Sequence, residues 1–558
     1  MYKELNLSRN NYLTIIAVAL FSLWIRMNFP IFAIGPAMYD DFLFIKQAAE
    51  IGIGNWLGEY NNLTHAKGIG YSVFMLLNHG LDLPLKFTEH AIYLAAAVFF
   101  AIAIGRVYTS RNIVLIIFCV LACLPSAWTA GEGGRVVREN IYVTQSVLLL
   151  ALGIHCWLLI FSKADSPQEQ LRIQWKYLVS FGLVGGWFWL TREEGVWIFP
   201  AMGILALHWL WYQRAAYKNW KPLLAYLTLP FLVATLIVGG VNTANYFVYG
   251  VFKNNDFRST DFQSGYGALT RIRHDNWRNY VLFPKDARER AYAMSAAARE
   301  LQPFFEGPGG ESWRKAGCEQ TATADCPEIL SGWLMWAVRD AVASAGHYSS
   351  AREVRKFYKR LAAEIEAGCQ NNPDDCLPAR ATMVPPWKNE YLMGTAQASW
   401  KVFETLASFG NTPPHHRASV GSPEQLALFK MVTNGPLAPT EQDVSIGTSP
   451  RDTVRLNIAT AIFKVVNTVS KIGLPLALVG WGCWSMALLI CRKIPDMAWF
   501  LATALAAAIV TRVVLLGFLE ATSIPSNNML YLFPVVPIAM AMVALMFFTA
   551  IRFLRFKK

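Results

Sequence analysis

Ten apolar stretches punctuate this chain, at 12–34, 88–105, 112–128, 141–162, 176–191, 195–213, 223–242, 473–491, 497–518 and 529–551. A helix needs roughly 20 apolar residues to cross the hydrocarbon of a bilayer, so the pattern predicts about ten transmembrane helices. The stretch from 175 to 212 is too long for one helix, and Thr191, Arg192, Glu193 and Glu194 interrupt it. Three charges at the bilayer centre are costly, which predicts a hairpin with those residues at its apex. Residues 243–472 are the long hydrophilic part. Richness in Ala, Arg and Glu predicts a helix over 285–301, and apolar spacing near 3.6 predicts helices over 331–345 and 351–367, while Pro- and Gly-rich stretches at 305–310 and 413–439 read as loops. In 454–472, Asn457, Lys464 and Lys471 punctuate apolar residues, a pattern expected to lie along the membrane surface. The fold class expected is mainly α. An N-terminal membrane module of about seven helices covers 1–242, an external and largely helical domain 243–472, and a C-terminal module of about three helices 473–558.

The first loop, 35–87, is also organised. Residues 42–51 predict a short amphipathic helix, and 71–83 predict a second, too short to span, that is surface-lying or re-entrant. No internal repeat of period 20–50 is present.

Composition agrees with a membrane protein: 54% of the 558 residues are hydrophobic and 16% charged. With the N-terminus inside, the short cytoplasmic loops and tails carry 16 basic and four acidic residues, the whole formal net charge of +12. An excess of Lys and Arg marks the cytoplasmic side, so both termini are placed inside and 243–472 outside. The basic balance reports topology; it does not imply nucleic-acid binding, which needs a basic face in a soluble region.

Nine cysteines divide the same way. Cys119, Cys123, Cys156, Cys483 and Cys491 fall in or beside apolar spans, where a thiol is a small filler. Cys318, Cys326, Cys369 and Cys376 lie in the external region, where disulfides persist. The expected pairs are Cys318–Cys326 and Cys369–Cys376, although four cysteines allow three connectivities. A zinc site is the competing reading, weakened because no His-x-x-x-His pattern accompanies them. Oxidised cysteines and inside-positive loops point to a bacterial inner membrane with the external region in the periplasm, with the endoplasmic reticulum as the alternative.

Candidate chemistry concentrates at the outer ends of the spans. Asp40 and Asp41 follow the first apolar stretch, and charges near hydrocarbon lose hydration unless something uses them. The bland reading is an N-cap for the 42–51 helix. Lys67, Arg135, Arg138, Arg192 and Arg512 are candidate cations for an anionic ligand. Arg512 lies inside the ninth stretch and needs a partner, for which Glu520 is the sequence candidate. Glu139, Glu193 and Glu194 accompany these cations; ion pairs that merely cap helix ends are the alternative for each. His65 reads more readily as a loop histidine than as a ligand.

Several passages together resemble the GT-C superfamily of integral-membrane glycosyltransferases, which includes protein O-mannosyltransferases and the aminoarabinose transferases that modify lipid A. Tyr39, Asp40 and Asp41 resemble that superfamily's acidic motif in the first external loop. Residues 65–71, from His65 through Lys67 to Tyr71, are similar to the segment that follows it. Thr191, Arg192, Glu193, Glu194 and Gly195 resemble a recurrent external hairpin apex, and Tyr531 to Pro537 the aromatic-Pro pattern of the final helix. The family often has Arg before that Tyr, whereas Asn527, Asn528, Met529 and Leu530 precede it here.

The resemblance implies a sugar donor carried on polyprenyl phosphate and a glycan, lipid or protein acceptor at the outer face of the membrane. Such a donor already has a good leaving group. The acceptor hydroxyl needs a base, which a carboxylate supplies, and a single displacement inverts the anomeric centre. Asp41 is the first choice for the base. Asp40 is the alternate, or a ligand for a divalent cation; no other cofactor is implied. The competing classes are a flippase or transporter of lipid-linked sugar, which predicts repeated halves and broken helices, and a non-catalytic envelope assembly protein in which both aspartates are caps.

Overall fold

The computed structural model describes residues 5–125, 133–159, 167–213, 221–275, 280–321, 327–379, 384–441 and 449–555. Among them the chain is helical, with isolated β-bridges and no strand. Helix α1 (Arg9–Arg26) starts on Ser8, which exchanges reciprocal cap bonds with Asn11. Then follow α2 (Asp41–Gly52), α3 (Gly70–Gly80), α4 (Leu85–Tyr108), α5 (Arg111–Ala122), α6 (Glu139–Leu159), α7 (Pro167–Thr191), α8 (Phe199–Gln213) and α9 (Lys221–Tyr249). The hydrophilic region folds as α10 (Thr260–Thr270), α11 (Lys285–Met294), α12 (Ala296–Glu300), α13 (Gln302–Phe305), α14 (Pro308–Thr321), α15 (Ser331–Ser344), α16 (Ala351–Asn371), α17 (Tyr391–Ala407) and α18 (Pro423–Thr433). The chain closes with α19 (Pro450–Ile490), α20 (Met497–Thr522), α21 (Met529–Leu532) and α22 (Val536–Arg555).

Seven helical stretches among the described residues are long and apolar enough to cross a membrane: Leu85–Tyr108, Glu139–Leu159, Gly195–Tyr212, Thr228–Tyr249, Pro450–Ile490, Met497–Thr522 and Met529–Phe553. The chain is an integral membrane protein. Three of the ten expected spans are not among the seven, each for a local reason. Helix α1 stops at Arg26, well short of residue 34. The Arg26 guanidinium turns back to donate to the Phe29 carbonyl (2.7 Å) and the Gly133 carbonyl (2.9 Å), and Pro30 cannot continue the helix. Helix α5 has 12 residues, below spanning length. Helix α7 has 25, but its first turns carry Gln168, Glu169, Gln170 and Arg172.

Other expectations also shift. Residues 454–472 do not form a separate surface segment; they run unbroken into the eighth span as α19. That helix is 41 residues long, about 60 Å at 1.5 Å per residue. The 413–439 stretch is not all loop. Ser422 and Gln425 form a capping box with Pro423 in the first turn, and α18 follows. Helical residues 285–301 break at Ser295, and α13 and α14 occupy part of the 305–310 loop. Helices α2 and α3 appear in the first loop as expected.

Three cores organise the molecule. The membrane bundle is built by α4, α5, α6, α8, α20 and α22, and α17 from the hydrophilic region joins it through Val402 and Leu406. A second core unites α10 to α16 around Phe262, Tyr266, Phe305 and Phe357. The third packs Phe44, Tyr71 and Met75 of the first loop against Phe429 and Val432 of α18. Backbone hydrogen bonds clamp the strand-like residues after α1 onto this unit: Ala438 N–H to the Ile31 carbonyl (2.6 Å), Val420 N–H to Ala33 (2.8 Å) and Gly35 N–H to Val420 (2.7 Å). Cys369 and Cys376 are disulfide-bonded as expected. The expected Cys318–Cys326 pair involves Cys326, which lies outside the described residues.

Candidate functional site at one end of the helices

The clamp sets where Asp40 and Asp41 stand. Asp40 occupies the cap position of α2, yet its side chain makes no cap bond. It reaches across the loop to the Lys67 ammonium. The Asp40 side chain is 51% exposed and Lys67 only 7%. Asp41 has the opposite surroundings: its side chain is fully buried, accepts from Arg135 (Nη2 at 2.6 Å, Nε at 3.3 Å) and from the Val136 N–H at 3.2 Å. Two neighbours in sequence therefore meet different fates, one facing space and one saturated.

Lys67 is positioned by glycine. A Cβ on Gly68 would sit 2.1 Å from the Leu190 carbonyl oxygen, and one on Gly70 would sit 2.4 Å from Thr191 Oγ1. No side chain fits either gap, so the loop lies directly on the end of α7. The ammonium rests between the rings of Phe44 and Trp336, 5.3 and 5.6 Å from their centroids. Burial, reinforced by Arg138, Arg192 and Arg135, pushes it well below the ordinary lysine range, against the pull of Glu193.

The hairpin apex forms between α7 and α8 as expected and supplies a buried ionic ladder. Arg138 pairs with Glu193 (2.9 Å) and lies 3.8 Å from Glu139. Arg192 contacts Glu139 and Glu194, and its guanidinium stacks on the Tyr531 ring at 4.9 Å. Arg512 reaches Glu194 at 3.2 Å and donates to the Tyr531 carbonyl at 2.5 Å. Burial alone would raise the Glu194 carboxyl, but Arg192 and then Arg512 outweigh it and hold it at about 2. The expected partner of Arg512 is thus corrected. Glu520 instead accepts from the Tyr280 hydroxyl (2.8 Å) and the backbone of Ser526 (2.5 Å) and Asn527 (2.9 Å).

Eleven of the twelve sequence candidates fall into this one assembly: Asp40, Asp41, Lys67, Arg135, Arg138, Glu139, Arg192, Glu193, Glu194, Arg512 and Tyr531. His65 stands at its margin. It is buried edge-on to Tyr249 (5.2 Å), with a left-handed backbone (φ 56°), and its carbonyl accepts from the Asp256 N–H at 2.8 Å. In this position it packs within the loop. Burial lowers its imidazole to about 4, against the attraction of Asp256.

Several residues escaped the sequence reading. Lys86 binds Glu89 (2.7 Å) and the Arg135 carbonyl (2.6 Å), while the Tyr71 hydroxyl donates to Glu89 (2.6 Å), so this pair buttresses the Arg135 loop. Two charges at the mouth of an apolar span were a signal for it. Arg258 donates to the Arg192 carbonyl at 3.0 Å and stacks on Trp189 at 4.0 Å, lining a polar cavity of about 400 Å³ with Asn242, Asn254, Asn255 and Arg355. Asn255 also donates to Glu193 at 2.6 Å. Nothing local in the sequence marks either.

The donor set does not fit a divalent cation. Asp40 and Asp41 each face a different cation, and no group of three or more His, Cys, Asp or Glu side chains that would hold a metal forms among the described residues. What the arrangement offers is one accessible carboxylate beside one buried ammonium, with fixed positive and negative charge behind them.

No protein-family model matches the chain, and no curated protein is similar to it in sequence. Among solved structures it is similar to ArnT from Cupriavidus metallidurans in the apo state, at 14% identity and a TM-score of 0.32, over 96% of this chain and 77% of that one. The structure of ArnT bound to undecaprenyl phosphate matches at 13% and 0.34, over 96% and 78%. The apo oligosaccharyltransferase of Archaeoglobus fulgidus matches at 12% and 0.33, over 93% of this chain and 56% of that one. At these TM-scores the likenesses give no residue a role.

Proposed function

We propose that this chain is an inverting glycosyltransferase of the GT-C type, moving a sugar from polyprenyl phosphate to a glycan, lipid or protein acceptor at the periplasmic face of a bacterial inner membrane. The observation that carries the reading is the half-exposed Asp40 held by the buried Lys67. In the reaction the acceptor hydroxyl attacks the anomeric carbon and the sugar–phosphate bond breaks. The electron pair leaves with the phosphate, and the hydroxyl proton passes to Asp40. Lys67, released from Asp40 by the arriving phosphate, neutralises the leaving group. Asp40 takes the role of base in preference to Asp41, because Asp41 has no exposed surface and its oxygens are already occupied. Asp41 orients Arg135, and the Arg138–Glu193 and Arg192–Glu194–Arg512 ladder keeps the apex rigid.

In this reading the shorter or more polar α1, α5 and α7 cross together with the seven long apolar stretches, both termini are cytoplasmic, and 243–472 lies in the periplasm. Supporting it, the site joins the last turn of α7, the first turns of α6 and the outer part of α20, as alternating crossings require. Arg106, Arg111, Arg492, Lys493 and Arg552 lie at the other ends. The test is purified protein in lipid nanodiscs with a panel of decaprenyl-phosphate sugars and envelope extract, read by mass spectrometry. The expected product carries the inverted anomer, and Asp40→Asn slows its formation by roughly 10²–10⁴-fold. Transfer that retains the anomeric configuration overturns the single-displacement mechanism.

A further inference from the structure

Immediately beside Asp40 the hydrophilic region places a group of side chains that the reaction above leaves unused. Tyr39 precedes Asp40 in the chain. Its ring lies 4.9 Å from Trp313 and 5.2 Å from Trp336, and its hydroxyl donates to Asp340 Oδ2 at 2.5 Å. Trp313 Nε1 donates to the same oxygen at 3.0 Å, and Asn62 donates to Asp340 Oδ1 at 2.6 Å. Trp336 and Asp340 are four residues apart on α15, so they share a face. All five residues are partly exposed. This is an aromatic wall with an acid at its centre, assembled from three separate parts of the chain.

Trp313 packs against the second core and Trp336 meets Phe257 edge-on at 5.1 Å, while Tyr39 reaches both from the first loop. Aromatic faces and carboxylates are the groups that recognise a pyranose or furanose: the ring face covers C–H bonds and the acid accepts from hydroxyls. The wall also has a direction. The Lys67 ammonium, which the transfer reading assigns to the donor phosphate, lies 5.6 Å from the Trp336 centroid. A sugar bonded to that phosphate therefore lands against Trp336 and Tyr39, with its anomeric carbon toward Asp40.

We infer that Tyr39, Trp313 and Trp336 form the subsite that grips the sugar of the lipid-linked donor, with Asp340 as the positioning residue that holds Tyr39, Trp313 and Asn62 in place. Asp340 accepts from all three of these groups. Burial raises its carboxyl above the ordinary range, against its three hydrogen bonds. The inference rests on the transfer reading and adds where sugar selectivity resides.

The test measures binding to the full-length protein in nanodiscs. The probes are decaprenyl phosphate alone and decaprenyl phosphate carrying glucose, galactose, mannose or arabinose. At least one sugar is expected to tighten binding to the wild type. Trp336→Leu should remove that advantage, roughly tenfold, beyond any loss for decaprenyl phosphate alone that comes from opening the Lys67 sleeve, and Trp336→Phe should keep most of it. Asp340→Ala should act like Trp336→Leu, and Asp340→Asn, which retains an acceptor oxygen, should restore part of the advantage. The inference is overturned if no sugar adds affinity, or if Trp336→Phe and Asp340→Asn weaken decaprenyl phosphate as much as its glycosides. Failure of the transfer reading shows itself separately, as full turnover by Asp40→Asn.

Discussion

The two sides of the site, a few ångströms apart, are built to different rules. On the Asp40–Lys67 side a half-exposed carboxylate has one side-chain partner among the described residues, and that partner sits in an aromatic sleeve. On the other side, Asp41, Arg135, Arg138, Glu139, Arg192, Glu194 and Arg512 satisfy one another in depth. A buried pair costs several kcal/mol to desolvate and is strongly destabilising to break, which makes it a frame. The Asp40–Lys67 pair is open only on its Asp40 side, which leaves that carboxylate accessible for chemistry. Adjacent acids in a sequence need not share a role.

The contrast can be broken most forcefully on the framework side. Asp41→Ala takes the buried carboxylate from Arg135, and Arg192→Met takes one cation from both Glu139 and Glu194; each should cost about 3–5 kcal/mol of stability, read as a large fall in melting temperature in detergent. A fall no greater than that of a surface variant would show that the ladder is not a frame. Next, Lys67→Met should slow transfer by roughly 10²–10³-fold, about 2.7–4 kcal/mol of transition-state stabilisation, with melting temperature nearly unchanged. Turnover near the wild-type value would remove Lys67 from the leaving-group role.

A smaller effect follows from His65. Its imidazole is held near 4 by burial, below the unfolded value of about 6.5. Unfolding therefore takes up a proton in that window. The stability it contributes is complete above pH 6.5 and is lost as pH falls toward 4, on the order of 1–3 kcal/mol. His65→Asn, which tolerates the left-handed backbone, should flatten the melting-temperature profile between those values, and an unchanged slope would assign the titration elsewhere. Smallest of all, Lys285→Ala should shift stability by less than about 0.5 kcal/mol, since its pair with Glu289 is exposed on both sides.

Much of this was legible. Long apolar runs exposed the membrane class, and charges stranded at their ends marked most of the residues that the fold gathers into the candidate site, because each such charge needs a partner. What local pattern could not supply was who the partner is. Glu520, on the same helix as Arg512, was the nearest candidate in sequence, whereas the true partner, Glu194, is 318 residues away. The same limit hid Trp336 and Asp340, which read as an ordinary amphipathic helix until the fold sets them beside Tyr39. Helix α18 is a different case: Ser422, Pro423 and Gln425 announced its start, and the surrounding prolines obscured it.

The most direct measurement compares Asp40→Asn with Asp41→Asn for both transfer rate and melting temperature. Asp40→Asn should lose transfer by roughly 10²-fold or more while melting with the wild type, and Asp41→Asn should melt early. An Asp40→Asn protein that transfers sugar at the wild-type rate, or a stable Asp41→Asn protein that alone is inactive, would contradict the account.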